Sequence, residues 1–496
     1  MRVTSKMMTS NSLNNINRNK ANLSVLANQY ATQQKIQRPS EDPVIAVRSL
    51  KYRTSISELT QFAKKNVPDA MSWISNTESA LTSVNDILTK MNTYFTQGAN
   101  DTLETTERDA LVQTLTEYKD QIFQCLNSDY AGRYLFTGYR TDTSLTFPEA
   151  ATNLKYTITE PIKASDIQIF SYVKGELTDT GATDPSVYTG DAVSLDKSYR
   201  FSLSYNGVDN VQSIKDGNTE LLTVGTISSS DPNRYDLDAY NNANGTSFEA
   251  LVIKETGEVI TNKAGYDKLK AAKDLSVQYD KTGFEKGDVR PEHYFTCQSE
   301  KYATDGSVVE SKSFEAPAKQ HIEYEVNFSQ NITVNTLANE CLNASIINQI
   351  DDIINQIEKV QNVEKKLSDI ELKIKNGTHA PEEKDALVEL KAQVENELAL
   401  HKSVLQEKFG NGITTTSTAQ ASVNKAVADL GSRYKRLELT ESRLQDQLTT
   451  FNEMLTSNDT VDIEEAVVNY TAALTAYNAS LNATAKIAEN SLLDFL

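Results

Sequence analysis

The sequence predicts a mainly α chain: an elongated helical rod whose N- and C-terminal helices pair, with a β-rich domain inserted in its middle. Three observations predict it. Apolar residues recur at helical spacing near both ends; that period disappears between Gly132 and about residue 335; and the composition suits long helices. Of 496 residues 39% are hydrophobic, with only 10 Pro and 19 Gly, which is too apolar and too patterned for a disordered chain and long enough for several domains.

The terminal seams come first. Val467, Tyr470, Leu474, Tyr477, Leu481, Ala485, Ala488, Leu492 and Phe495 follow steps of three and four almost to Leu496, so they lie on one stripe of a helix. Leu13, Ile16, Leu23, Leu26 and Tyr30 trace a similar stripe at the other end. Chain ends normally fray, so a seam that persists to the last residues expects a partner. The opposite terminus and copies of the same helix in neighbouring subunits are the simplest partners. Two terminal helices bury only one face each, and Tyr470 and Tyr477 suit a contact that is wet before assembly, so packing between subunits is the reading preferred over a purely internal core.

The first helix, over 8–34, stops at Arg38-Pro39-Ser40-Glu41-Asp42-Pro43, where two prolines forbid helical continuity. Ser40 or Asp42 can cap a second helix starting at Pro43. That helix covers 44–97, with Ile74, Leu81, Leu88 and Phe95 at sevens and Val84 and Met91 interleaved. A third spans 105–128, its seam Leu111, Leu115, Tyr118, Ile122 continuing to Cys125 as a buried small hydrophobe. Gly132 to Gly138 reads as a turn with Tyr134 and Phe136 packed beneath. Short alternating runs follow; LVIKETGEVIT (251–261) and HIEYEVNFSQNITV (321–334) read as strand pairs, and 265–275 as one short helix. Helix returns near 341. Ile346, Ile350, Ile353, Ile357, Val360, Leu367, Ile370 and Ile374 run out to Asn376-Gly377, and Leu387, Leu390, Val394, Leu398 and Leu405 run back from Pro381, making a helical hairpin over 346–408. Gly410 to Ala419, GNGITTTSTA, is expected as a polar linker before two last helices over 420–457 and 462–494, the second capped by Asp462 with Glu465.

The net charge of −19 argues against a nucleic-acid partner, which needs a basic face. Three cysteines, Cys125, Cys297 and Cys341, share no CxxC spacing and suit neither a disulfide framework nor a zinc site. No stretch approaches a transmembrane span, so membrane insertion is not expected, and the N-terminus lacks the apolar core of a cleavable signal peptide. No chemistry is legible. His293, His321, His379 and His401 are scattered, HIEYE at 321 lacks the second histidine of HExxH, and Asp236 with Asp238 lacks the other calcium-loop ligands. There is no GxSxG, P-loop or GxGxxG. The expectation is no enzyme, no cofactor and no metal.

Several motifs, in order and at both ends, carry a family resemblance. They are Met1-Arg2-Val3-Thr4 with Met7 and Met8; Lys35-Ile36-Gln37 followed by the Arg38–Pro43 box; Gln97-Gly98-Ala99-Asn100-Asp101-Thr102; Gly132-Arg133-Tyr134-Leu135-Phe136-Thr137-Gly138; Leu430-Gly431-Ser432-Arg433; and Ser491-Leu492-Leu493-Asp494-Phe495-Leu496. In these the chain resembles the hook-associated junction proteins of the flagellin superfamily, over about 1–150 and 415–496 and less closely over 321–360. It departs where the family often has Gly, at Gln33 and Gln34, so the first helix is expected to run slightly longer.

The resemblance implies a flagellin-like rod with discontinuous domains. Residues 1–42 with 462–496 would form the polymerising coiled coil, 43–150 with 336–461 the helical rod, and 151–335 the outer β-rich domain. It implies a structural protein secreted through the flagellar type III system to the hook–filament junction. Its partners would be copies of itself in a ring, another hook-associated protein on the hook side, flagellin on the filament side, and an export chaperone on the C-terminal helix, whose bare apolar stripe would otherwise aggregate. Arg38, Glu41 and Asp42 would form ion pairs between subunits, although a simple helix stop and start accounts for the box equally well. Two alternatives stay open: a filament flagellin with an enlarged outer domain, and a surface adhesin acting through 150–330, where Tyr188, Tyr199 and Tyr240 permit glycan stacking.

Overall fold

The computed structural model describes residues 5–100, 105–175, 177–179, 188–189, 193–317, 320–376 and 381–493. The chain is mainly α with a β-rich middle, and it divides into two compact units: Met1–Ala70 with Tyr324–Ile332 and Lys435–Leu496, and Met71–Glu323 with Thr333–Tyr434. The helices are α1 (Ser5–Thr32), α2 (Pro43–Gln61), α3 (Val67–Gly98), α4 (Thr105–Leu126), α5 (Leu237–Asn244), α6 (Lys263–Ala271), α7 (Ala338–Cys341), α8 (Ile346–Asn376), α9 (Pro381–Asp459) and α10 (Ile463–Leu493).

In the first unit α1 packs along α10. Pro43 occupies the first turn of α2, where its missing N–H costs nothing, and the Asp42 carboxylate accepts from Val44 N at 2.9 Å and Ile45 N at 3.2 Å. The helix does not break before α3; it passes through one π-turn, Phe62–Asn66. There Phe62 meets Phe328 edge-on at 5.4 Å and the Asn66 amide donates to Glu325 O at 2.8 Å, so the turn is clasped by the two-stranded sheet of Glu323–Asn327 and Gln330–Thr333. Inward side chains Leu59, Ala63, Val67, Val326, Leu437 and Leu444 form the core.

In the second unit the sevens of α3 are core: Ile74, Leu81, Val84, Leu88 and Met91 are fully buried and Phe95 nearly so. Leu111, Leu115 and Ile122 of α4 are buried too, but Cys125 is only half-buried, because the last turn turns Phe123 and Leu126 inward and leaves Cys125 at the edge of the stripe. Among the described residues the β-rich part holds two large sheets, besides the short pairing of Thr178–Asp179 with Tyr188–Thr189. One is antiparallel throughout, in the order Val308–Phe314, Thr296–Tyr302, Ala151–Pro161, Leu275–Phe284, Val208–Asp216, Thr219–Leu222. The other runs Val224–Ile227, Ala250–Ile253, Glu258–Thr261, Ser194–Ser202, Gln168–Lys174, its first pair parallel. The strand pairs expected at 251–261 and 321–334 are present, and the short helix is α6. A buried Arg200 joins this sheet to the helices: it pairs with Glu258 beside it and with Asp352 of α8 at 2.7 Å, and Lys408 of α9 holds the same Asp352 at 2.6 Å.

The helical hairpin is formed by α8 and the first half of α9. The expected linker at 410–419 does not exist; these residues lie inside α9, which runs unbroken for 79 residues. Two local features replace the loop chemistry. Gly412 lets Ile353 and Phe95 approach so closely that a Cβ there would sit 2.7 Å from Ile353. Thr414, Thr416 and Thr418 turn their hydroxyls back onto carbonyls one turn earlier, at 3.2, 2.8 and 2.9 Å, and Thr416 also accepts from the Asn92 amide of α3 at 3.0 Å.

Candidate assembly surface

The terminal pair is held by side chains that are only partly covered. On α1, Ile16, Leu23 and Leu26 are half-buried, while Leu13 and Tyr30 remain 50% and 47% exposed. On α10, Tyr470, Leu474 and Tyr477 are half-buried, Leu481 is 40% exposed, and Val467, at 38%, sits on the outward rim of the stripe. Tyr30 stacks on Tyr470, ring centroids 5.8 Å apart and nearly parallel. Phe495 lies outside the described residues, as does the side chain of Leu492. Among the described residues of this face only Ala466 is buried. Small residues fill the inward line that the larger seam residues flank: Ala466, Ala473, Ser480 and Thr484, none of which an apolar count singles out.

Where α1 ends, the chain is tied to the α9–α10 joint. α1 does not run on through Gln34; it stops at Thr32, and Gln33 takes a left-handed φ of 59° in the place where Gly would be unstrained. Backbone bonds Lys35 N to Asp459 O (2.8 Å) and Val461 N to Gln33 O (3.0 Å) then stitch the two segments together. Lys35 Nζ adds a bond to Ser457 O at 2.6 Å. Asp459 accepts from Ser49 Oγ at 2.8 Å and Arg53 at 2.9 Å; partial burial works to raise its carboxyl, but the bonds from Arg53, Asn458 and Ser49 outweigh this and hold it below the usual range. These ties, made by residues outside the Arg38–Pro43 box, were not legible in the sequence.

The box itself is a local turn. Glu41 accepts from Gln37 N at 2.7 Å, Glu41 N donates to Arg38 O at 3.0 Å, and Asp42 is the cap described above. Arg38, Pro39, Ser40, Glu41 and Pro43 are exposed. Asp462 caps α10 through Glu464 N at 2.9 Å.

The second motif, Gly132 to Gly138, opens with a two-residue hairpin between Asp129–Tyr130 and Arg133–Tyr134. Ala131 and Gly132, at φ 53° and 75°, supply the left-handed pair that such a turn requires. Leu135 and Phe136 are buried, Tyr134 is half-buried, and Arg133 lies 4.8 Å from the ring centre of the buried Trp73. Gly138 is left-handed (φ 64°), and a Cβ there would strike Gln320, whose side chain accepts from Tyr139 N at 3.1 Å. The motif is a packed corner.

Reactive groups do not converge. Among the described residues no three His, Cys, Asp or Glu side chains are placed to hold a metal. The three thiols are free, and burial pushes the Cys341 thiol up to about 12, away from thiolate chemistry. His401 is buried against Gln356, whose amide lies 3.2 Å from Nδ1, a satisfied packing histidine. No described helix is long and apolar enough to cross a membrane.

Comparison with known proteins matches residues 3–141 to the bacterial flagellin N-terminal helical region and residues 413–496 to the bacterial flagellin C-terminal helical region. Flagellar hook-associated protein 3 of Salmonella typhimurium is 28% identical over 145 residues, 29% of this chain and 45% of that protein. A flagellin of Clostridium tyrobutyricum is 32% identical over 128 residues, 26% of this chain and 34% of its own. The chain thus spans less than half the length of the curated relatives it matches. The crystal structure of flagellar hook-associated protein 3 from Legionella pneumophila aligns with 82% of this chain and 97% of its own, at 13% identity and a TM-score of 0.31. The two ends of this chain are thus similar to the N- and C-terminal helical regions of the bacterial flagellins, on either side of a middle that neither match covers.

Proposed function

We propose that this chain is a structural subunit of the bacterial flagellum that joins hook to filament. The observation that carries this is the α1–α10 pair: flagellin end regions whose shared apolar face is left half-exposed in the single chain. Burying such a face needs neighbours, and copies of the same helices supply them in a ring. On this reading Leu13, Ile16, Leu23, Leu26, Tyr30, Val467, Tyr470, Leu474, Tyr477, Leu481, Leu492 and Phe495 belong to the assembly seam. The terminal segments 1–42 and 462–496 polymerise, the 43–150 and 336–461 helices form the rod, and 151–335 faces outward. The hook side takes another hook-associated protein and the filament side takes flagellin. Export runs through the flagellar type III route, with a chaperone on α10 beforehand. The role is structural, with no reaction assigned. The likeness to hook-associated protein 3 supports the junction; the 32% identity to a flagellin favours, as the second reading, a filament subunit with an enlarged outer domain.

The test is Leu474→Asp with Leu481→Asp. A carboxylate buried against an apolar partner costs several kcal/mol, and the cost recurs in every subunit. Cells should secrete the variant yet shed their filaments. Normal secretion with full-length attached filaments would remove this seam from assembly. Filament shedding when the gene is deleted separates junction from filament subunit, since loss of a filament subunit abolishes filament protein altogether.

A further inference from the structure

Two further faces of the first unit are apolar, exposed and opposite in charge. The outward face of α2 carries Val44, Val47 and Leu50, 58%, 52% and 65% exposed, alongside Arg48 and Lys51. The outward face at the start of α10 carries Ile463, Val467 and Val468, 51%, 38% and 64% exposed, alongside Glu464 and Glu465. These four charged side chains are exposed and take part in no ion pair among the described residues. Neither patch can cover the other within one chain, because each helix turns a different face inward: Ile45, Ser49, Tyr52 and Leu59 on α2, and Ala466, Tyr470 and Ala473 on α10. Both helices start from the same joint. The Asn458 amide donates to Ile45 O at 3.0 Å, and Val461 N reaches Gln33 O. The two patches therefore both start within a few residues of this joint.

We propose that the Val44–Val47–Leu50 face of α2 docks on the Ile463–Val467–Val468 face of α10 in a second copy of this chain, with Arg48 and Lys51 set against Glu464 and Glu465. This rests on the self-assembly put forward above and names a second contact within it. The two surfaces are unlike, so the contact is heterologous: each copy offers both halves, and the series closes into a ring or continues as a helix. The apolar side chains supply the buried area, and the charges fix the register and oppose a face-to-face pairing of two α2 helices.

Charge reversal with rescue tests it in cells whose only copy is the variant. Arg48→Glu with Lys51→Glu, or Glu464→Lys with Glu465→Lys, sets like charges against each other, and attached filaments should fall roughly tenfold while secretion stays normal. All four changes together should restore attachment to within about twofold, which a folding defect would not do. Normal attachment with either pair alone, or no rescue by the four-fold variant, overturns the proposal; the latter is the outcome if α2 meets a different protein. A second measurement holds even if a reversed chain is poorly secreted. In a Cys125→Ser background, the chain carrying both Val47→Cys and Val468→Cys should give an oxidation ladder on isolated flagella, and each single variant should give none. No ladder from the double variant, or dimers from Val47→Cys alone, overturns the contact. Firm filaments in a strain lacking the gene would instead defeat the junction reading, and the ladder still decides the contact wherever the chain assembles.

Discussion

Gln33 carries a conformation better suited to Gly. Its φ of 59° closes α1 and places its carbonyl on Val461 N at 3.0 Å, a geometry in which any side chain crowds its own backbone. Gln33→Gly should keep the stitch and stabilise the folded chain by up to about 1 kcal/mol, less whatever the freer unfolded chain gains, read as a higher urea midpoint with unchanged slope. His293 is a different kind of residue, buried beside the acid Glu292 and the bases Arg140 and Arg290. Burial, aided by the two arginines and opposed by Glu292, lowers its pKa to about 4. A base whose folded value lies below its unfolded one is protonated first in the unfolded chain. Its contribution is therefore complete above pH 6.5 and is lost as pH falls from there to about 4. Stability of the second unit should drop across that window by a few kcal/mol at most, and His293→Gln should flatten the slope; parallel profiles would show that His293 does not titrate there.

At the scale of elements, what the sequence disclosed depended on whether one face alone was buried. The sevens of α3 and the threes and fours of α8 were legible because a single stripe meets the core; Ile74, Leu81, Leu88, Ile350 and Ile357 are all buried. The hairpin at 251–261 was legible from its turn, although both faces are covered from Ala250 to Ile253 and so show no alternation. The stretch at 410–419 was misread because two glycines and five threonines and serines resemble loop chemistry, while the reason for one of the glycines is a neighbour far away in the chain. The terminal seam was legible as a stripe, but its inward line of Ala and Ser was not, since small residues mark close approach and not hydrophobicity. The two glycines give a paired prediction. Gly410 faces open space in mid-helix, so Gly410→Ala should stabilise by about 0.5–1 kcal/mol. Gly412→Ala puts a methyl group against Ile353 and Phe95, so packing strain of about 1–3 kcal/mol should exceed the same helical gain. Opposite shifts in thermal midpoint are expected; equal upward shifts would mean that Gly412 is not a packing glycine.

For the whole molecule, the question is how far the β-rich insert is separable. In sequence it reads as a domain with a core of its own, and a cluster of Phe170, Leu251, Ile253 and Ile260 is such a core. Yet Leu177 packs with Val363, Ile370, Leu390 and Val394 of the helical hairpin, and the Lys366 amine donates to Leu177 O at 2.7 Å. Burial would raise the Asp352 carboxyl, but Arg200 and Lys408 hold it well below the usual range. Its stabilising contribution is thus present above the ordinary carboxylate pKa and fades only as pH falls below it. Deleting 151–320 removes Arg200, Leu177 and the sheet together, while leaving the strand pair at 323–333 that clasps the π-turn. The first unit should therefore remain folded. The α8–α9 hairpin should lose its cover and one of the two cations on its half-buried carboxylate, so that it opens locally without unfolding the remainder. Hydrogen exchange of the deletion variant should accelerate roughly tenfold or more over 346–408 and stay unchanged over 43–66 and 437–459. Unchanged protection across 346–408 would show that the insert is an independent domain and that Arg200 fastens nothing the hairpin needs.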